Sequence, residues 1–174
     1  MAYELYTRTN QKIYFAGLAL EALGRAESGQ AMNASALIQA DRESALFHLY
    51  GALLGLCHEI AGYYRLPQSA SPSAEALLGG DAEQALAIPE LAELKELALN
   101  RETWLACLMR EYAALFSPPQ APKVVKGDVR VAVIQVLNLD EEDPVPALTR
   151  EEMERWRQNL KGLAIRFREG LSEC

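Results

Sequence analysis

The second apolar stretch, ALIQADRESALFHLYGALLGLCHEIAGYYRL from Ala36 to Leu66, constrains this chain more than any other segment. It holds both histidines and runs without a proline until Pro67. An apolar, proline-free run of this length predicts one long, largely buried helix. A helix buried along its length needs other helices around it. The fold class is therefore mainly α: an up-down helical bundle of about four helices, with one short β-like or extended segment near 129–137.

The flanking segments supply the partners. Over Tyr3 to Glu27, the residues Tyr6, Thr9, Ile13, Ala16, Leu20 and Leu23 recur at spacings of three and four, which is one buried helical stripe. Ser28-Gly29 stops this helix, and the second begins between Gln30 and Ser35 and reaches about Arg65. The short connection makes the two antiparallel neighbours, so residues whose numbers sum to about 58 lie side by side. Asn10 then falls near His48, and Gly17 near Asp41. The second helix, roughly 50 Å long at about 1.5 Å per residue, overhangs the first from about Leu56 to Arg65. That end must find cover elsewhere in the chain or on another subunit.

Pro67 ends the second helix, and 67–88 is a small-residue connector with one helical turn at most and a capping box at Asp81 and Gln84. The region 89–116 is helical, with Asn100 as a point of interruption, so it is one kinked helix or two. Residues 117–148 are a linker. Within it, the alternation Val129-Val131-Val133 reads as a strand without an evident ladder partner. Thr149 and Glu152 form a capping box that opens a last helix, whose stripe is Met153, Trp156, Leu160, Leu163, Phe167 and Leu171. The whole of 1–174 is read as a single domain.

Composition narrows the function classes. Half of the residues are hydrophobic, enough for a core. The formal charge of −7 disfavours nucleic-acid binding, because an acidic surface repels phosphates. His48, His58 and Glu59 interrupt the longest apolar segment, so no membrane span is expected. The opening MAYELYTRTNQK lacks the basic and apolar regions of a secretion signal. Three isolated cysteines suit reduced thiols. Together these predict a cytoplasmic location.

No constellation points to catalysis, a metal or a cofactor. Cys57, His58 and Glu59 are adjacent on a helix and so point about 100° apart, and Cys57 sits among apolar neighbours that make a thiol inert. No histidine has a ligand partner one helical turn away. Two groups are candidates for binding. Asp41, Ser44 and His48 share one helical face, and the predicted register adds Asn10, making a polar cluster that suits a small ligand. His58, Tyr63, Tyr64 and Arg65 lie in the overhang, where tyrosine beside arginine favours a contact surface. Arg150, Arg157, Lys161 and Arg168 form the one basic stripe, read as a solvated face that pairs with Glu154 and the acidic run Asp140–Asp143.

Two segments, TNQKIYFAGLALEAL (Thr9–Leu23) and ALFHLYGALLGLCHEIAGYYRL (Ala45–Leu66), resemble a bacterial family of small, mainly helical cytoplasmic proteins with no assigned activity. That resemblance implies a fold class and brings no functional residues. Arg42 and His48, in ADRESALFHLYGALL, are also similar in spacing to the HEPN helical-bundle superfamily, which includes ribonucleases and nucleotide-handling proteins. This likeness implies RNA or nucleotide handling by Arg42 and His48. Residues six apart on an unbroken helix lie about 120° from each other, so a shared site needs a break between them. The reading favoured by the residues is a non-catalytic binding or scaffolding protein that associates with itself or with a protein partner. HEPN-type activity and a small-ligand pocket are the alternatives.

Overall fold

A computed structural model of the chain describes residues 2–79, 88–118 and 148–172. The described residues are mainly helical and form six helices: α1 (Ala2–Ser28), α2 (Ala34–Tyr63), α3 (Ala74–Leu78), α4 (Pro89–Leu99), α5 (Trp104–Ala114) and α6 (Arg150–Ser172). The Val129–Val133 alternation, the Asp81/Gln84 pair and the Asp140–Asp143 run lie outside the described residues.

Two local signals raise the helix number above about four. Ser73 accepts a hydrogen bond from the Ala76 amide and so caps a single turn, α3, inside the connector. Between α4 and α5, Asn100 leaves the helical region of the backbone, and its Oδ1 accepts from the Glu102 amide at 3.1 Å. Thr103 then restarts the chain as a helix. Its Oγ1 accepts from the Ala106 amide at 3.2 Å and donates to the Leu97 carbonyl at the end of α4. The region 89–116 is thus two helices joined by a polar hinge.

α2 is the axis of the molecule. From Ala45 to Ala61 it buries Leu46, Leu49, Leu53, Leu56, Cys57 and Ile60 on several sides, because α1, α3, α5 and α6 all pack against it. By length and composition it is apolar enough to cross a bilayer, yet 67% of its most apolar window is buried inside the protein. A central core helix has that same composition. Its N-terminal turns, from Ala34 to Gln39, are largely exposed.

α1 lies antiparallel to α2, as the short turn demands, but in a shifted register. The turn spans residues 29–33 and is centred beyond Gly29, so Phe15 rather than Asn10 meets His48. Leu5 reaches Gly62, so most of the expected overhang is covered by α1 itself. The two helices approach closely at Gly55, where a Cβ would come within 2.7 Å of Thr9 Oγ1 and 3.3 Å of Thr9 Cα. Only glycine lets the two backbones come this near.

α6 opens with the capping box read from the sequence. The Thr149 amide donates to Glu152 Oε2 at 2.9 Å, and the Glu152 amide donates to Thr149 Oγ1 at 3.2 Å. The whole stripe from Met153 to Leu171 is buried. α6 runs antiparallel to α1 with Arg150 against Gly24 and Arg157 against Gly17. These glycines are two turns apart, and each leaves room for one arginine guanidinium. Gly17 therefore faces α6, not Asp41.

Candidate binding sites on the α1, α2 and α6 surfaces

Glu59 is the most costly residue to place in this core. Its side chain is 1% exposed, and an isolated carboxylate there would lack any compensating partner. Arg168 of α6 prevents this with a two-pronged contact, Nε to Oε2 and Nη2 to Oε1, both at 2.8 Å. The remaining terminal nitrogen, Nη1, donates to Asn10 Oδ1 at 2.9 Å, and the guanidinium lies 4.8 Å from the centre of the Tyr6 ring. One arginine thus ties α1, α2 and α6 together. Asn10 does belong to a polar cluster, but with Glu59 and Arg168 instead of His48.

Beside this cluster a groove of about 420 Å³ runs between α1 and α6. Ile13 and Ala164 are its buried floor, and the exposed side chains of Tyr14 and Ile165 are its walls. Arg157, Lys161 and Arg168 enter it from α6. Arg157 is held by Glu154 through Nε at 2.8 Å and Nη2 at 2.7 Å, the pairing expected of a solvated basic face. This contact lowers the Glu154 pKa and raises that of Arg157. Lys161 is exposed and has no ion-pair partner among the described residues.

His48 sits on the other side of α1. Its ring meets Phe15 and Phe47 edge-on, each with centroids 5.4 Å apart, and its buried Nδ1 has no hydrogen-bond partner among the described residues. Burial, and secondarily the charge of Lys12, lowers its pKa, so the neutral ring is favoured. Lys12 also lies over the Phe47 ring at 4.8 Å. Asp41 and Ser44 are half-buried on the same helix. α2 is unbroken from Ala34 to Tyr63, which leaves Arg42 and His48 on different faces, about 120° apart.

At the end of α2, His58 and Tyr64 are tied within the chain. His58 Nε2 contacts the Ser71 carbonyl at 2.7 Å, and the Tyr64 hydroxyl donates to Glu90 at 3.2 Å. Tyr63 is 44% exposed, and Arg65 adopts a left-handed φ of 53° as the chain turns into the connector. Tyr50 is a junction that periodicity does not reveal. Its hydroxyl donates to Glu75 Oε2 at 2.6 Å and accepts from the Ala74 amide at 3.0 Å, while its ring stacks on Tyr112 at 3.8 Å. Burial, reinforced by Glu75, drives the Tyr50 pKa upward, so this phenol is no acid at neutral pH.

The Cys57 thiol is fully buried and its pKa is pushed up to about 12, mainly by desolvation, so it is not a nucleophile. No group of three or more His, Cys, Asp or Glu able to hold a metal occurs among the described residues. No curated protein and no solved structure matches the chain. Its full length, residues 1–174, does match one family, and the chain belongs to it: the family of unknown function DUF6586.

Proposed function

We propose that this chain is a non-catalytic binding or scaffolding protein that self-associates through the outward face of α2. One observation carries the reading. Leu37, Ala40, Ser44, Phe47 and Gly51 recur at alternating spacings of three and four, and none is charged in a chain that is 24% Asp, Glu, Lys and Arg. Phe47 is 48% exposed and Leu37 is 41% exposed. This spacing is the seam of a helix pair; Lys12 of α1 packs against Gly51 and lies over the Phe47 ring, while Leu37 and Ala40 are exposed.

The order of sizes favours a second copy as the occupant. A two-fold axis through Ser44 pairs each residue with the one equally far on its other side. Large Leu37 then faces small Gly51, and Phe47 faces Asp41, next to small Ala40. Side chains of one helix fill the gaps of the other, as close packing requires. In this arrangement Leu18, 43% exposed on α1, extends the apolar contact. Each protomer contributes an antiparallel α1–α2 pair, so the interface is itself a four-helix up-down arrangement. His58, Tyr64 and Arg65 take no part in it.

The test is light scattering on size-exclusion chromatography over a hundred-fold range of protein concentration. The wild type should elute as a dimer, and Phe47→Glu, which places a charge in the seam, should elute as a folded monomer. A wild type that stays monomeric throughout, or a dimer indifferent to Phe47→Glu, overturns the reading.

A further inference from the structure

The geometry points to a second site, independent of the α2 face: the α1–α6 groove binds an amphiphilic monoanion, a carboxylate carried on an aliphatic or aromatic body. The charge balance selects the headgroup. Glu154 neutralises Arg157 and Glu59 neutralises Arg168, each through Nε and Nη2. That leaves Lys161 as the one groove cation without a described counter-ion. A single negative charge completes the set.

Two further hydrogen-bond donors lie along the same groove. Arg157 Nη1 makes no bond to Glu154 and rests against Gly17, the α1 residue that leaves room for it. Arg168 Nη1 spends one donor on Asn10 Oδ1 and has a second. Arg157, one turn before Lys161, is the nearer guanidinium along α6, and Arg168 lies two turns beyond Lys161 at Asn10. The apolar body has its own place over Ile13 and Ala164, between Tyr14 and Ile165. A groove of about 420 Å³ is within the range of small-molecule sites, toward its lower end. A purely apolar ligand would gain nothing from the Lys161 charge, and a small bare anion would leave Tyr14 and Ile165 in water.

Octanoate is the probe, with 1-octanol as its uncharged counterpart, both titrated calorimetrically into the full chain. Octanoate should bind one per chain. Lys161→Ala should weaken it at least ten-fold, and Lys161→Arg should restore most of the affinity. Octanol should bind at least ten-fold more weakly than octanoate. Lys161 is exposed, so circular dichroism of both variants should match the wild type. Three results overturn the proposal: no octanoate binding at millimolar concentration, equal binding of octanoate and octanol, or unchanged octanoate affinity in Lys161→Ala.

Discussion

Glu59 and Gly55 lie one helical turn apart on α2, and each is tolerated because of one neighbour. Removing the Glu59 charge leaves Arg168 facing an uncharged core wall. Glu59→Gln should therefore lower stability by about 3 kcal/mol, the lower end for a broken buried pair because Arg168 keeps some solvent contact. Combining Glu59→Leu with Arg168→Met should cost less than either change alone, and chemical denaturation of the four proteins measures the coupling. At Gly55 the conflict is steric. Gly55→Val pushes a branched side chain into Thr9 and should cost about 1–3 kcal/mol, read from the same denaturation midpoints.

His48 gives the protein a pH signature. Its folded pKa lies below the ordinary value of 6.5, so below that pH the unfolded chain binds the proton more readily than the folded one. The contribution is complete above about pH 6.5 and is lost as pH falls toward the folded pKa. Glu152 and Glu154, held below the ordinary 4.5, lose their contributions only in more acid solution. Between pH 7 and 5.5 the urea midpoint should thus fall in the wild type and fall less in His48→Gln. An identical slope in the two proteins would assign the acid sensitivity elsewhere.

Among the elements, those with polar punctuation were legible before any coordinates. The Thr149–Glu152 box, the stripe from Met153 to Leu171 and the stop at Pro67 follow from backbone chemistry that acts locally, and they stand as read. Asn100 was visible as an interruption, but the decision between a kink and a break belongs to Thr103, whose hydroxyl serves both helices at once. Thr103→Ala should cost about 1 kcal/mol and fray the start of α5, detectable as faster amide exchange at Ala106. What the sequence could not reveal is the pairing of distant elements. The sum rule pairs Asn10 with His48 because it centres the turn on its first residue; the shifted register brings Phe15 level with His48, and Asn10 lies on the α6 side of α1. The Arg168–Glu59 contact links residues far apart in the chain, and no local pattern announces it. The basic stripe on α6 was legible, whereas the α1 wall that turns it into a groove was not.

In the molecule as a whole, α2 does two jobs along one length. Its C-terminal half is enclosed by the chain's own helices, while its N-terminal half presents an apolar seam to solvent. Mean composition cannot separate the two halves, because both are rich in alanine and leucine. The expected contact surface at His58–Arg65 rested on an overhang, and the shifted register places Leu5 beside Gly62 and removes most of it. Under the proposed self-association, the seam from Leu37 to Gly51 is the face offered to a second copy.

A cysteine at the inferred two-fold axis interrogates that arrangement. Ser44→Cys would be made with Cys107 and Cys174 replaced by serine and with the fully buried, unreactive Cys57 retained. Mild oxidation should convert most of this protein into a disulfide-linked dimer on a non-reducing gel, because a residue on the axis meets its own copy. Tyr14→Cys, exposed on another face of α1, should stay largely monomeric under the same conditions. Equal cross-linking of the two variants, or none at Ser44→Cys, would contradict self-association through α2.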